Sequence, residues 1–268
     1  MKNKSLSILP EGFLLLASAI LIFNFSLNSC SDKVDDLPKD SIPTNGDGSF
    51  TDSRDGNIYQ YKTFGTQIWM TRNLAYLPAV SPGTSGSTTA KLYYVYEYEG
   101  SDVAAAKANQ NYKTYGVLYN WPAAMNLAAG SDAVPSGVTG ACPAGWHLPS
   151  DKEWKILEGY LGMSTEGTDA VSLRLPGSVG RKLKTTTGWL DNGNGDGTSG
   201  FSALPGGYRT NDGSEFVRLG GSAYFWSSSI YLRTNWENGA WDRYLQGSND
   251  GVVRDMPYHS DGLSVRCI

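Results

Sequence analysis

The chain is poor in the side chains that most often carry catalysis. Of 268 residues, three are cysteine and two are histidine, and only 18% are charged. His147 and His259 stand far apart in the chain, so sequence offers no compact set of the three or four nitrogen and sulfur ligands that zinc needs. Serine is abundant, but there is no Gly-x-Ser-x-Gly elbow and no Ser/His/Asp set can be singled out. Asp and Glu are scattered, and no pair of carboxylates is nominated for glycoside cleavage. Basic residues number 22 against 26 acidic ones, a net charge of −4. That is too little positive charge to hold a phosphate backbone, so nucleic acid is not an expected partner. What is plentiful is glycine (32 residues) and aromatic side chains (12%). This mix suits a rigid, turn-rich extracellular domain, without catalysis and without a cofactor.

Long apolar runs are missing too. The longest, Phe13 to Phe25, is about 13 residues, short of the ~20 that cross a bilayer as a helix. Preceded by Lys2 and Lys4, it reads as a secretory signal. Leu27-Asn28-Ser29-Cys30 resembles a bacterial lipobox, with Asn28 a loose fit. Residues 1–29 are therefore expected to be a signal peptide and Cys30 the lipidated first residue, each buried methylene adding ~0.8 kcal/mol of anchorage. The acidic run Ser31-Asp32-Lys33-Val34-Asp35-Asp36 resembles the signal that sends Bacteroidota lipoproteins to the outer face of the outer membrane. The expected location is thus the cell surface. An ordinary signal peptide with an incidental cysteine, and a plain solvated linker, are the alternatives. Residues 30–50, rich in Pro, Gly and polar side chains, read as a tether, and 51–268 as one domain.

With Cys30 assigned to the membrane, Cys142 and Cys267 are the thiols left for the domain. One disulfide between them is expected, consistent with an oxidising compartment. By restricting the unfolded chain, a loop that long contributes roughly 5 kcal/mol.

Alternation around Tyr59 and Tyr61, with a turn at Gly65-Thr66, predicts a hairpin over 58–70. Leu92 to Tyr98 is β-like and Val103 to Asn109 a short helix. A further helix is expected from Trp121 to Gly130, with Pro122 near its start. Ser150 and Glu153 form a capping box that opens a helix burying Trp154, Leu157 and Leu161. Beyond residue 163 the pattern is turns and short strands.

Several collinear motifs carry a resemblance. They include Gln67-Ile68-Trp69-Met70-Thr71-Arg72-Asn73-Leu74, Tyr115-Gly116-Val117-Leu118-Tyr119-Asn120-Trp121, and Cys142-Pro143-Ala144-Gly145-Trp146-His147-Leu148-Pro149-Ser150. They continue with Gly180-Arg181-Lys182-Leu183-Lys184, Gly200 through Arg209, Phe225-Trp226-Ser227-Ser228-Ser229 and Ser264-Val265-Arg266-Cys267. Over residues 53–268 the sequence resembles the Fibrobacter succinogenes major paralogous domain, a family of secreted and lipoprotein modules. That family is similar in fold to C-type lectin-like domains. The fold implied is α+β: two helices flanking short antiparallel sheets, with a long irregular loop region that carries the binding surface. The resemblance also implies the Cys142–Cys267 pairing.

Candidate sites follow. Asn192, Asn194 and Asp196 match the start of an EF-hand loop, but Ala203 stands where the closing Glu belongs, so calcium is the lesser expectation beside an ion-free turn. His147 is expected to be a structural hydrogen-bonding residue. Binding of a glycan or a surface protein is expected on Tyr231, Arg233, Asn235, Trp236, Trp241, Asp242, Arg243, Asn249, Asp250, Arg254 and Tyr258, where aromatic faces are interleaved with polar groups. Trp226 is read as structural. Rival readings are a structural or accessory subunit of a surface fibre or outer-membrane complex, and a hydrolase.

Overall fold

The computed structural model describes residues 46–212, 215–231 and 239–268. The expected signal peptide, Cys30 and most of the tether lie outside the described residues. Among the described residues no helix is long and apolar enough to cross a membrane.

The first sheet is formed by β1 (Gly48–Thr51), β2 (Ile58–Phe64) and β3 (Gln67–Met70), antiparallel in that order. β1 begins at Gly48, and the expected domain boundary was residue 51. The expected hairpin is present, with Phe64 opposite Gln67 across the Gly65-Thr66 turn. Of the β-like run from Leu92, only β4 (Tyr93–Tyr94) is strand, and it pairs with β5 (Leu118–Tyr119). Between these strands lie α1 (Val103–Ala108) and α2 (Gln110–Tyr115), started by the side chains of Asp102 and Asn109.

The helix expected from Trp121 to Gly130 is a single turn, α3 (Trp121–Ala124). It stops because Asn126 and Leu127 take positive φ, 50° and 66°, which a right-handed helix cannot continue through. The capping box forms as read from sequence. Ser150 accepts from the N–H of Glu153, and Glu153 accepts from that of Ser150, opening α4 (Asp151–Tyr160).

Beyond it come α5 (Thr165–Asp169), β6 (Ser172–Arg174) and α6 (Val179–Leu183). The strands β7 (Gly206–Arg209), β8 (Phe216–Leu219), β9 (Ser222–Ile230), β10 (Ala240–Gln246) and β11 (Val252–Arg254) follow. The described residues therefore hold six helices, where the resemblance implied two and the sequence pattern read three, and a six-stranded sheet where short strands were expected. The helices not read from the pattern, α2, α5 and α6, are one or two turns long, and α2 and α5 start at an Asn and a Ser cap. Such local caps leave no long apolar period to read. The architecture is a mixed one of helices and largely antiparallel sheets.

The large sheet runs β6-β11-β10-β9-β7-β8, antiparallel except where β7 meets β9. It separates two cores. Alternation along β9 sends Phe225 to the core shared with α4 and α6, and Trp226 to the core under the small sheets. The last segment stitches these layers together. Leu263 exchanges backbone bonds with Tyr119, Cys267 accepts from Met70, and Ile268 exchanges bonds with His147. The Cys142–Cys267 disulfide closes a separation of 125 residues. Buried Arg266 donates to Asn73 and to the carbonyls of Met70, Phe201 and Ser202, which gives its motif a physical reason. Gly180 lies so close to the backbone of Gly251 that a Cβ would collide with it.

A buried ionic network locks α4 to the sheet. Asp151 receives Arg243 and Arg254, while Glu158 receives Arg174 and Arg243, all at 2.6–2.9 Å.

A tyrosine cleft as the candidate functional site

Strand parity builds the site. On β10, Arg243 and Leu245 point toward α4, so Asp242 and Tyr244 point away from it. Across the ladder, Tyr224 of β9 stands opposite Tyr244 and Trp226 opposite Asp242. At the Trp226 end this face of the sheet is core; toward Tyr224 it opens into a cleft of about 440 Å³. Tyr208 of β7 extends the row. Ring centroids are 4.5 Å apart for Tyr208–Tyr224 and 4.7 Å for Tyr224–Tyr244. The rings thus lean on one another's faces along the ladder.

Asp212, Asp242, Asp255 and Asp261 all line the cleft, Asp242 and Asp255 beside Tyr244, and Asp212 and Asp261 toward Tyr208. The N–H of Asp255 donates to Oδ1 of Asp242 at 3.1 Å, and that of Tyr258 to Oδ2 of Asp261 at 2.8 Å. Burial, then the charge of Asp255, raises the Asp242 carboxyl well above the usual carboxylate range. Burial pushes Asp261 up to about 7, against the pull of N–H groups from Tyr258 and Asn211. Burial also raises the Tyr208, Tyr224 and Tyr244 hydroxyls, each opposed by the positive charge of Arg218. Arg218 stands on β8 at the Tyr208 end, with φ at 64°. The cleft can offer hydrogen bonds and groups of both charge signs.

Of the residues expected to bind, Asp242 and Tyr258 line this cleft. The others lie elsewhere. Arg243 is buried against Asp151 and Glu158. Arg254 grips Asp151 and lies over Trp241, whose ring also meets the edge of Tyr231. Asn249 donates to Gln246 and accepts from Gly251, and Asp250 lies 3.7 Å from Arg181. Arg233, Asn235 and Trp236 lie outside the described residues. Sequence reading missed Tyr208, Tyr224, Asp255, Asp261 and Arg218. The signal that could have found part of the set is the two-residue period joining Asp242 to Tyr244.

The loop weighed for calcium has its own hydrogen bonds. Asn194 accepts from Trp189, Asp196 accepts from Thr198, and Arg181 stands 3.8 Å from Asp196. Nearby, the buried Lys184 ammonium donates to the carbonyls of Gln246 and Asn249. Among the described residues no group of three or more His, Cys, Asp and Glu side chains is placed to hold a metal ion. His147 is held by Glu153 at 2.9 Å, whose other oxygen accepts from Ser136 and Ser150.

No curated protein and no solved structure matches the chain. Over residues 63–268 the sequence matches the family described as the Fibrobacter succinogenes major domain. That match covers most of the chain and takes in both disulfide cysteines, every strand of the large sheet and the tyrosine cleft; the chain belongs to the Fibrobacter succinogenes major domain family.

Proposed function

We propose that the domain is a non-catalytic recognition module with a C-type lectin-like fold, anchored at the outer face of the outer membrane through lipid on Cys30. In this reading it takes a glycan or protein ligand into the tyrosine cleft. The observation that carries it is the row Tyr208–Tyr224–Tyr244, left half-buried on one end of a sheet face whose other end is core. Aromatic side chains beside a few polar groups in a concavity are what ligand sites are built from. The lectin-like reading is supported by the staple that ties the final segment to the run preceding the capped helix.

The test is binding of the purified full-length chain to an array of glycans and defined peptides, with and without chelator. Binding that weakens in Tyr224→Ala and survives Trp241→Ala supports the cleft. Binding that needs Trp241 and ignores Tyr224 moves the site to the other side of the sheet.

A structural role in a larger surface assembly has one observation in its favour. Leu173 on β6, the edge strand of the large sheet, and Val171 and Leu175 just outside that strand are exposed aliphatic side chains. The hydrolase reading draws on the cleft carboxyls, and release of reducing ends from a bound glycan would decide for it.

A further inference from the structure

We propose that the Asp242–Asp255 side of the cleft seats an ammonium group, that of a lysine side chain on a partner polypeptide. The proposal rests on the cleft being a ligand site. Asp242 is 1% exposed and lines the cleft; its Oδ1 accepts from Asp255, and its other oxygen accepts no hydrogen bond from the described residues. Arg243 serves Asp151 and Glu158 on the opposite side of the sheet, Arg254 serves Asp151, and Arg209, whose charge reaches Asp261, donates to the carbonyls of Gly83 and Ser260. Arg218 lines the same cleft. Asp242 and Asp255 therefore share the cleft with no ion pair to either among the described residues.

A buried carboxyl in that position is expensive to ionise and keeps its proton instead. An incoming ammonium supplies the missing positive charge and displaces the proton. It brings three donors, which suit the open oxygen of Asp242, the Asp255 carboxylate and a tyrosine hydroxyl. A sugar ring wants an open aromatic face, and here Tyr224 stacks on Tyr244 at 4.7 Å while Tyr208 tilts against Tyr224 at 4.5 Å, which favours a donor group over a stacked ring. Arg218 hydrogen-bonds Tyr208 on β7, two strands across from Asp242 on β10, and so leaves the Asp242–Asp255 side open to an incoming cation. The acids are not grouped to chelate a metal ion.

The test is isothermal titration of the full-length chain with a terminally blocked trilysine peptide, the same peptide acetylated on every Nζ, and chitotriose. The expected result is binding of trilysine alone, with a heat that differs between buffers because protons are released. Asp242→Asn keeps the shape and the bond from Asp255, and should weaken binding roughly thirtyfold or more. Asp255→Asn, at a half-buried position, is the second variant and should weaken it in the same direction. Equal binding of the acetylated peptide, no proton release, or undiminished affinity in both folded variants overturns the proposal. Chitotriose binding without trilysine binding leaves the cleft as a ligand site and removes the cationic ligand; no binding of any probe removes both.

Discussion

The guanidinium of Arg254 lies 3.4 Å from the centroid of the Trp241 ring, while its Nε and Nη2 hold the two oxygens of Asp151 at 2.8 Å each. One arginine thus covers an aromatic face that looks available in the sequence and ties β11 to the first turn of α4. Asp151 sits behind the Ser150 cap and also receives Arg243.

Removing the carboxylate from this arrangement leaves two buried guanidinium groups short of a counter-charge. Asp151→Asn is expected to cost about 3–5 kcal/mol of stability. The midpoint of urea unfolding measures it, with the slope checked for unchanged two-state behaviour. A loss under about 1 kcal/mol would mean that Glu158 and solvent compensate, and that the network is not what fixes α4.

Acidity should act on the fold in two opposite ways. Hydrogen bonding from Arg254 and the charges of Arg243 and Arg254 outweigh burial and hold the Asp151 carboxyl below the ordinary carboxylate range. Its contribution is present above the unfolded value of about 3.9 and is lost as pH falls below it. Burial raises Asp261 to about 7 and also raises Asp242 well above the usual carboxylate range. Over pH 4 to 7 the folded chain keeps protons that the unfolded chain has released. Stability should therefore fall as pH climbs through that window, by on the order of 4 kcal/mol for Asp261 alone. Unfolding midpoints across pH are expected to peak on the acid side of neutrality, and Asp261→Asn should flatten the decline. A curve rising steadily to pH 8 would contradict the burial of these acids.

The loop after α6 should be indifferent to calcium. Arg181 already stands 3.8 Å from Asp196, and the buried Lys184 ammonium is bonded at 3.1 and 2.9 Å to the carbonyls of Gln246 and Asn249. Lys184→Met keeps the stem but leaves those carbonyls without their donor, at a cost of about 1–3 kcal/mol. Thermal unfolding of the parent chain with calcium and with chelator should superimpose. A rise in melting temperature with calcium would reverse the reading of Asn192, Asn194 and Asp196.

Much of the scaffold was legible because its signals are local. The capping box needs only Ser150 and Glu153, and the hairpin only an alternation and the Gly65 turn. The long pairings were less visible. Nothing near Tyr208 in the chain announces that β7 lies parallel beside β9, so the row with Tyr224 and Tyr244 appears only once the strands are laid out. Arg243 and Arg254 look like surface residues among Asn and Asp, yet their carboxylates lie on α4, some hundred positions away, and pull them inward. Sequence gives residue type and parity; which face of a strand is covered depends on partners distant in the chain.

The disulfide offers the last test, because two kinds of constraint converge on the final segment. Backbone bonds hold it at Leu263, Cys267 and Ile268, and the covalent link from Cys267 to Cys142 holds it across 125 positions. In the chain-entropy account the covalent part acts on the unfolded state and contributes roughly 5 kcal/mol. The double variant Cys142→Ala with Cys267→Ala should thus unfold at markedly lower urea with the native fold otherwise kept, since neither the Arg266 contacts nor the backbone bonds need the sulfurs. Asp261 and Leu263 line the cleft only a few residues upstream, so ligand affinity should survive at temperatures where the variant remains folded. Near-ultraviolet circular dichroism and a urea titration decide the matter. A variant that has lost its tertiary signal in the absence of denaturant would mean that the covalent link, rather than the strand-to-strand bonds, positions the end of the chain.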